Sequence, residues 1–278
     1  MQPVFRFAPS PNGYLHLGHA YSALLNARMA EEAGGRFLIR IEDIDTLRCT
    51  SDKVAACFED LDWLGLRWEE PVLQQSTQFG RYQAVAETLR ARGVLYACTC
   101  SRGDIAKAAG EGARDPDGAL LYPGTCRGLK GLSASCAWRI DMSKALASLG
   151  NKALIWREEG PDETGTPHAR EERARPERWG DVVLVRKDIP TSYHLAVVLD
   201  DAMQGITHVV RGQDLFHATG VHRLLQKLLG LPAPIYHHHA LLIDDAGKKL
   251  AKSAASTPLR QLRAEGVRAA EIREKLGF

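Results

Sequence analysis

The fold is decided by one stretch near the start of the chain, Arg6-Phe7-Ala8-Pro9-Ser10-Pro11-Asn12-Gly13-Tyr14-Leu15-His16-Leu17-Gly18-His19. The apolar run Val4 to Phe7 is too short for a helix and predicts a buried strand. Two prolines and the Asn-Gly pair then predict a turn. Beyond His19, apolar residues recur at helical spacing from Tyr21 onward, which indicates an amphipathic helix. The stretch is therefore predicted to join a strand, a tight loop and the N-terminus of a helix.

The predicted helix start suits anion binding, because the first amides of a helix are unpaired donors and its dipole favours negative charge. His16 and His19 are three positions apart and share one face of the first turn. Gly18 leaves room for a phosphate or a flat ring to approach the backbone. A lone His-x-x-His pair would more often cap an ordinary helix. The Arg-x-Ala-Pro-Ser-Pro sequence before it favours a binding site.

Two segments resemble the signatures of the class I aminoacyl-tRNA synthetases. The stretch from Arg6 to His19, with its His-Leu-Gly-His end, resembles the first signature in the form used by the glutamyl subgroup. The segment Lys249-Leu250-Ala251-Lys252-Ser253 resembles the second signature, a lysine loop that closes over ATP. His19 and Lys249 lie 230 positions apart, and the two motifs in this order are a stronger signal than either alone. The resemblance covers the chain from Arg6 to Ser253.

The resemblance implies that ATP is a substrate and that it is used with Mg²⁺. The residues it assigns to ATP are His16, Gly18, His19, Lys249 and Lys252. Of these, His16, His19 and Lys252 would be catalytic, because they would face the negative charge that builds on the phosphate oxygens. Loop lysines are otherwise ordinarily just solvated.

Composition sets the remaining bounds. The 278 residues are 45% apolar, enough for a large core and for one or two domains. The formal charge of +2 excludes a bulk polycation, so any contact with nucleic acid must come from local patches. We expect neither a secretory leader nor a membrane span, and the six irregularly placed cysteines do not suggest a disulfide scaffold. We expect a monomeric cytoplasmic protein without membrane contact.

The carboxyl ends of two predicted strands carry charged residues, at the place where open α/β sheets bind ligands. Residues 36–42 alternate as a strand that ends at Glu42, and a strand over 206–210 is followed by Arg211. A simple turn at Glu42 and a surface ion pair at Arg211 are the alternatives. The family resemblance places both residues in the ligand crevice, with Glu42 as the partner of a substrate ammonium group.

The same resemblance indicates which amino acid is the substrate. Arg6 and Arg211 supply two guanidinium groups, each able to bind a carboxylate through paired hydrogen bonds. Two cations require an anionic side chain, so the predicted substrate is glutamate rather than glutamine. Ala8, Ser10 and Tyr193 complete the predicted glutamate site.

A further group of residues indicates a metal. Cys98 and Cys100 are closer together than the usual zinc spacing, and with Cys126 only three cysteines are nearby, so spacing alone leaves zinc and packing equally open. The resemblance implies one structural zinc (Zn²⁺) per chain, held by Cys98, Cys100, Tyr122 and Cys126. Four protein ligands leave no open position for a substrate. Cys136 falls in a predicted strand and is interpreted as a core residue, with a role as substitute ligand the alternative.

Three other segments carry predictions. Residues 157–181 are dense in charge and contain several prolines and glycines, so they are interpreted as a mobile solvated loop, with RNA contact the alternative. His237, His238 and His239 would alternate faces in a strand and are interpreted as packing and pocket-lining residues, with metal ligands the alternative. Val197 stands where the tRNA-charging glutamyl enzymes carry an asparagine, which suggests a rearranged pocket.

Together these elements predict an α/β fold. We expect a Rossmann-like, doubly wound parallel sheet that is split by a zinc-binding insertion and followed by a short helical C-terminal appendage. The expected segments are 1–97 for the first half of the catalytic domain, 98–135 for the insertion, 136–253 for the second half with the lysine loop, and 254–278 for an appendage of two short helices.

The resemblance implies a reaction in which a glutamate carboxylate attacks the α-phosphorus of ATP and a hydroxyl group then accepts the glutamyl group. The sequence ends 25 residues after Ser253, whereas the tRNA-charging glutamyl enzymes continue into helical domains that read the anticodon. We therefore expect the activity of their short paralogues, which attach glutamate to queuosine in the anticodon stem-loop of tRNA(Asp). The alternatives are glutamylation of a tRNA acceptor end with a partner in trans, a small-molecule nucleotidyltransferase, and an inactive binding relative.

Overall fold

The computed structural model describes residues 2–129, 135–150, 153–162, 165–166, 168–242 and 257–278. Within these residues, ten β-strands are formed: β1 Val4–Phe7, β2 Arg36–Ile41, β3 Glu69–Gln74, β4 Leu95–Cys98, β5 Ala137–Ile140, β6 Ile155–Glu158, β7 Arg170–Arg173, β8 Val183–Val185, β9 His208–Gly212 and β10 Ile235–His239. The same residues form nine α-helices: α1 Leu17–Glu32, α2 Ser51–Trp63, α3 Phe79–Ala91, α4 Arg102–Ala109, α5 Met142–Ser148, α6 Tyr193–Met203, α7 Thr219–Leu229, α8 Leu259–Ala264 and α9 Ala269–Lys275.

Seven strands form the central sheet in the order β3-β2-β1-β9-β10-β6-β7. Neighbouring strands from β3 to β6 pair in parallel, and β7 at the edge is antiparallel to β6. The order runs outward from β1 in both directions, so the connections after β1 and β9 diverge and leave a crevice at the carboxyl ends of the strands. The predicted α/β fold with a mostly parallel central sheet is confirmed.

Alternating side chains of the central sheet enter two separate apolar layers. In β1, Val4 belongs to the layer that contains α3, α5, α6 and α7, whereas Phe5 belongs to the layer that contains α1, α2, α8 and α9. Val209 and Val210 of β9 divide in the same way. Parallel strands are usually covered on both faces, and this is why their side chains are apolar on both sides. The two layers fix the strand ends from which the crevice is built.

A smaller antiparallel sheet joins β4, β5 and β8 in that order. The described part of the segment between β4 and β5 contains α4. Beside the end of β4, Cys98, Tyr122 and Cys126 form a third buried cluster, with Cys100 packed against it. This cluster brings together residues that are far apart in the segment.

The two helices predicted near the end of the sequence are α8 and α9. They pack against α1 and α2, with Leu259 and Ile272 buried in the shared apolar layer. The N–H of Leu259 donates to the carbonyl of Leu15 at 2.8 Å, which attaches the end of the chain to the loop before α1. Among the helices of the described segments, none has the length and apolar character that crossing a membrane requires.

The interpretation of residues 157–181 as a mobile loop is wrong. The segment contains the end of β6, all of β7 and a 3-10 helix, Pro176–Trp179. β6 and β7 extend the central sheet beyond β10. Charge density misled the interpretation because it does not show which side chains point inward, and here Glu158, Ala174 and Trp179 are buried.

Candidate active site

A cleft of about 770 Å³ lies at the carboxyl ends of β1, β2, β9 and β10. It is lined by all the described residues that the sequence predicts for glutamate or ATP: Arg6, Ala8, Ser10, His16, Gly18, His19, Glu42, Tyr193 and Arg211. They converge because parallel pairing brings the carboxyl ends of neighbouring strands to one edge. Lys249 and Lys252, predicted for the phosphates, lie outside the described residues.

His16 and His19 stand at the start of α1 and cap it. The N–H of Gly18 donates to Nδ1 of His16 at 3.1 Å, and the N–H of His16 donates to Nδ1 of His19 at 3.2 Å. Burial lowers the pKa of His16, and burial together with His16 lowers the pKa of His19 to about 3. Both rings are therefore neutral at pH 7, and because each Nδ1 accepts a hydrogen bond, each ring carries its proton on Nε2. They offer two N–H donors at a helix N-terminus, where phosphate oxygens bind.

Arg6 and Glu42 belong to a buried ion network that was not predicted from the sequence. Asp201 in α6 accepts hydrogen bonds from Nε of Arg6 at 3.0 Å and from Nη1 of Arg40 at 2.7 Å. Arg40 also donates to Oε1 of Glu42 at 3.0 Å. Burial raises the pKa of Glu42 above its ordinary value, while Arg40 and Arg6 oppose that rise. The network holds Arg6 in β1 and Glu42, which directly follows β2, in fixed positions at the wall of the cleft.

Arg211 is a buried cation that forms no ion pair within 4.0 Å with any described residue. It is 6% exposed. Its N–H groups contact uncharged partners: Nε2 of His238 at 3.1 Å, Oη of Tyr193 at 3.2 Å, Nδ1 of His222 at 3.3 Å, Oγ1 of Thr219 at 2.7 Å and the carbonyl of Leu215 at 3.2 Å. A buried cation without an anion is costly, so an anionic group bound in the cleft would supply the missing partner.

Glu158 fixes the orientation of Arg211 through His238. Oε2 of Glu158 lies 2.7 Å from Nδ1 of His238, and Nε2 of the same ring accepts the Nε–H of Arg211. Burial alone would raise the pKa of Glu158, but its hydrogen bonds, chiefly from His238, outweigh burial and lower the pKa to about 2. Burial lowers the pKa of His238 to about 4. An ionised Glu158 beside a neutral His238 puts the ring proton on Nδ1 and leaves Nε2 as the acceptor for Arg211.

Gly160 leaves the space that this contact requires. Its N–H donates to Oε1 of Glu158 at 3.0 Å, and the N–H of His238 donates to the same oxygen at 2.9 Å. A Cβ atom at position 160 would lie 2.5 Å from the carbonyl oxygen of His238 and 2.7 Å from Oε1 of Glu158. Such distances are far inside van der Waals contact, so a side chain at this position would displace Glu158 or His238.

We expect Glu158→Gln to weaken glutamate binding and to leave ATP binding unchanged. The amide keeps the shape of the carboxylate but no longer holds the proton of His238 on Nδ1, so Arg211 loses its oriented acceptor. Loss of one charge-assisted hydrogen bond corresponds to roughly a tenfold rise in the KM for glutamate, measured by ATP–pyrophosphate exchange. Glu171→Gln, which removes an exposed carboxylate in β7, is the matched control. Equal rises in the KM values for glutamate and ATP would contradict this role.

The same variant tests the charge of Glu158 through the acid stability of the protein. The folded pKa of about 2 lies below the ordinary value of 4.5, so the ionised carboxylate stabilises the fold fully above pH 4.5 and less as the pH falls toward 2. The difference in unfolding free energy between wild type and Glu158→Gln should therefore shrink over that range, as measured by urea unfolding. A difference that does not change with pH would show that Glu158 is not ionised.

Two predictions about nearby residues can be compared with the structure. His239 lines the cleft and His238 is buried, which confirms their interpretation as pocket-lining and packing residues. Val197 is buried in the apolar layer that contains α6 and is not among the described residues that line the cleft. Its side chain is therefore not part of the described cleft wall, and a rearranged pocket at this position stays a prediction.

The three cysteines and the tyrosine predicted to bind zinc lie together. The Sγ atoms of Cys98, Cys100 and Cys126 are all within 4.8 Å of one another. Oη of Tyr122 lies 3.4 Å from Sγ of Cys98 and 3.6 Å from Sγ of Cys100, whose Sγ lies 3.5 Å from that of Cys126. A tetrahedral zinc ion with bonds of ~2.3 Å to sulfur and ~2.0 Å to oxygen separates its donor atoms by roughly 3.5–3.8 Å. The donor set therefore fits zinc, and Cys136 does not belong to this described group.

We expect metal analysis to find one zinc ion per chain and Cys98→Ser to lose it. Because four protein ligands leave no position for a substrate, the loss should lower thermal stability before it changes the rate of ATP–pyrophosphate exchange. Cys136→Ser is the matched control, since it alters a buried cysteine outside the donor group. Wild-type protein that is free of zinc yet fully stable would contradict the prediction, as would loss of zinc from Cys136→Ser.

Comparison with known sequences finds relatives over the whole length of the chain. The family model described as tRNA synthetases class I (E and Q), catalytic domain, matches residues 4–119 and 170–276. A protein named Glutamyl-Q tRNA(Asp) synthetase from Rhodobacter capsulatus is 50% identical over 286 residues, which cover 99% of this chain and 100% of the relative. A protein of the same name from Cupriavidus metallidurans is 41% identical over 268 residues, covering 94% of this chain and 82% of the relative.

Solved structures of tRNA synthetases share the fold. A glutamate tRNA ligase from Elizabethkingia meningosepticum, solved in complex with its amino acid, has a TM-score of 0.69 at 24% identity, and the match covers 96% of this chain and 53% of that one. Methionyl-tRNA synthetase from Mycobacterium tuberculosis has a TM-score of 0.60 at 16% identity and is matched over 99% of this chain and 64% of its own length. The chain thus spans about half to two thirds of these enzymes.

Proposed function

The chain belongs to the class I tRNA synthetases of the glutamate and glutamine type, as an enzyme resembling the glutamyl-Q tRNA(Asp) synthetases, and we propose that it activates glutamate with ATP and transfers it to queuosine in tRNA(Asp). An activity of the glutamate–tRNA ligase type follows from the family. The names of several relatives support queuosine as the acceptor.

The observation that carries the choice of glutamate is that Arg211 has no ion-pair partner among the described residues. Arg6 and Arg40 are paired with Asp201 and Glu42, whereas the ionised Glu158 is separated from Arg211 by the His238 ring. A bound glutamate would supply the direct partner. Its ammonium group would face Glu42 and its side-chain carboxylate would face Arg211. Glutamine has no net charge and would leave Arg211 unpaired.

In the proposed first step, an oxygen of the glutamate α-carboxylate forms a bond to the α-phosphorus of ATP. The bond from that phosphorus to the bridging oxygen breaks, and pyrophosphate leaves with the electron pair. Negative charge builds on the phosphate oxygens in this transition state. The Nε2–H groups of His16 and His19 would donate hydrogen bonds to these oxygens, and Lys252 would add a positive charge. The protein contributes positioning and electrostatic stabilisation and needs no nucleophile of its own.

In the proposed second step, a hydroxyl of the cyclopentene diol of queuosine attacks the carbonyl carbon of glutamyl-adenylate. An ester bond forms, AMP leaves with the electron pair of the broken anhydride bond, and the hydroxyl proton is released. The step requires a hydroxyl group held within about 3–3.5 Å of the carbonyl carbon. The queuosine diol resembles the vicinal diol of a terminal ribose, so a synthetase cleft can present the adenylate to either group.

A structural zinc completes the proposal. Cys98, Cys100, Tyr122 and Cys126 would hold the ion, and a bound zinc would supply a cross-link for the loop-rich segment after β4. The segment has little apolar core of its own, since its described buried cluster consists of Cys98, Tyr122 and Cys126. Metal binding would therefore be part of its folding free energy.

The experiment separates activation from transfer. ATP–pyrophosphate exchange with glutamate and without RNA tests activation, and glutamine tests the choice of amino acid. Labelled glutamate is then offered with an anticodon stem-loop of tRNA(Asp) that carries queuosine and with the same stem-loop without it. We expect exchange without RNA, and label on the queuosine stem-loop alone. Mild periodate oxidation of the diol should abolish the transfer.

Two results would contradict the proposal. Exchange that proceeds equally with glutamine would remove the assignment of glutamate to the cleft. Label on the terminal adenosine of tRNA, or equal label on stem-loops with and without queuosine, would make the protein a ligase for another acceptor and leave the activation step intact.

A further inference from the structure

Three exposed arginines form a short row at the edge of the central sheet, Arg173, Arg175 and Arg178, which we call the arginine strip. Arg173 ends β7, and the other two follow within six positions. None of the three side chains forms an ion pair with a described residue within 4.0 Å. Their neighbour Arg170, by contrast, is paired with Glu172 at 2.8 Å. The strip therefore presents three guanidinium groups without an ion-pair partner among the described residues, in a segment that also carries Glu171, Glu172 and Glu177.

The backbone beneath the arginine strip is firmly held. The N–H of Ala174 donates to the carbonyl of Leu154 at 2.8 Å, and Nε1 of Trp179 donates to the carbonyl of His217 at 3.1 Å. Gly220 in α7 packs against the strip so closely that a Cβ atom there would lie 3.3 Å from the backbone nitrogens of Arg175 and Pro176. Exposed charges on a fixed backbone lose less entropy on binding than charges on a mobile loop.

The arginine strip adjoins the mouth of the active-site cleft. All three arginines line a small cavity of about 150 Å³. Pro116 and His217 line this cavity and also line the cleft that holds His16, His19 and Arg211. An extended polyanion that placed one group in the cleft could therefore continue directly over the strip.

We propose that the arginine strip binds backbone phosphates of the RNA whose acceptor hydroxyl enters the cleft. This inference rests on the proposed function, since it takes RNA as the second substrate. Guanidinium groups bind phosphates through paired hydrogen bonds, and contacts to the phosphate backbone position a nucleic acid without reading its sequence. The strip would orient the RNA, while the cleft selects the acceptor. ATP does not need the strip, because its phosphates have their own donors at the start of α1.

The test compares three variants with wild type. A triple change of Arg173, Arg175 and Arg178 to Gln removes the charges, and a triple change to Lys retains them. Arg67→Gln is the control for the loss of an exposed arginine away from the strip: Arg67 is 78% exposed, is paired with Asp62 at 2.7 Å, and lies just before β3, at the opposite edge of the same sheet. Binding of a labelled queuosine stem-loop is measured by fluorescence anisotropy at several salt concentrations, and activation is measured by pyrophosphate exchange without RNA.

We expect the Gln variant to bind RNA about 10- to 100-fold more weakly at low salt and its log–log salt slope to be shallower by about 2, since each lost phosphate contact removes about 0.7. The Lys variant should show nearly the wild-type salt slope, and Arg67→Gln should show the full wild-type slope. Exchange without RNA should be unchanged in all of them, which also shows that they are folded. An unchanged salt slope in the Gln variant would overturn the inference, and so would an equal loss in Arg67→Gln.

The same measurement distinguishes this inference from the proposed acceptor. If stem-loops with and without queuosine bind with the same slope, and both lose it in the Gln variant, the strip is confirmed as a phosphate surface. The choice of queuosine would then have to be made in the cleft. A full tRNA could bind with a salt slope that depends on the strip and yet be labelled on its terminal adenosine. That result would support the strip as a phosphate-binding surface and would contradict queuosine as the acceptor.

Discussion

His19→Asn is expected to lower the rate of ATP–pyrophosphate exchange by about 10²- to 10³-fold, the usual cost of removing one donor to a developing oxyanion. Asparagine can reproduce the Nδ1 acceptor that receives the N–H of His16, but it has no group at the position of Nε2. His19→Gln is the matched variant, because its amide reaches that position and can still donate. The exchange rate of His19→Gln should fall by about tenfold or less. Equal losses in both variants would contradict a role for the Nε2–H group.

The protonation state of His19 can be tested directly. Because burial and His16 lower its pKa to about 3, the ring of the free protein should stay neutral from pH 7 down to about pH 4, with its proton on Nε2. NMR of the histidine ring nitrogens reports both properties. A ring that titrates near its ordinary value of 6.5 would mean that His19 acts as a cation, and Asn and Gln would then be equally poor replacements.

Arg211→Ala is expected to lower kcat/KM for glutamate by roughly 30- to 150-fold, which corresponds to about 2–3 kcal/mol for a charge-assisted contact. The KM for ATP should remain nearly unchanged, because the side chain of Arg211 is held by Tyr193, Thr219 and His238, whereas the phosphates are proposed to bind at the start of α1. Preference for glutamate over glutamine should fall by a similar factor. The measurement is pyrophosphate exchange with each amino acid.

Arg211→Lys controls for the loss of charge. Lysine keeps the positive charge but cannot form the paired hydrogen bonds of a guanidinium group. It also lacks the Nε–H group through which His238 orients Arg211. We expect an intermediate loss for glutamate. Thermal unfolding of both variants separates misfolding from altered recognition. Unchanged glutamate kinetics in Arg211→Ala, or an equal loss of ATP affinity, would place the side-chain carboxylate elsewhere.

Some parts of the cleft could be predicted from the sequence because their residues lie close together in one short segment. The strand, turn and helix start around His16 and His19 follow from local patterns, so their arrangement was predicted correctly. The carboxyl ends of β2 and β9 could be predicted because parallel strands bring their ends to one edge. Glu42 and Arg211 therefore line the cleft as expected.

The ion network could not be predicted, because its members are distant in sequence. Asp201 lies 195 positions from Arg6 and 161 from Arg40, and no local pattern relates them. The one available signal was the alternation of β2, which puts Arg40 on the same face as Glu42. Glu158 was missed for a different reason. It lies in a segment whose charge density suggested exposure to solvent, yet its side chain is fully buried against His238.

Gly160 has an evolutionary consequence. Its lack of a side chain is required by the crowding around Glu158 and His238, although it is not among the described residues that line the cleft. Selection for glutamate would therefore act on a position that has no side chain to contribute. Two of the three closest atoms are the backbone oxygen and nitrogen of His238, so no change of side chain at His238 would relieve the crowding. We expect a library that varies position 160 to weaken glutamate recognition at every substitution, including in variants that also change Glu158 or His238.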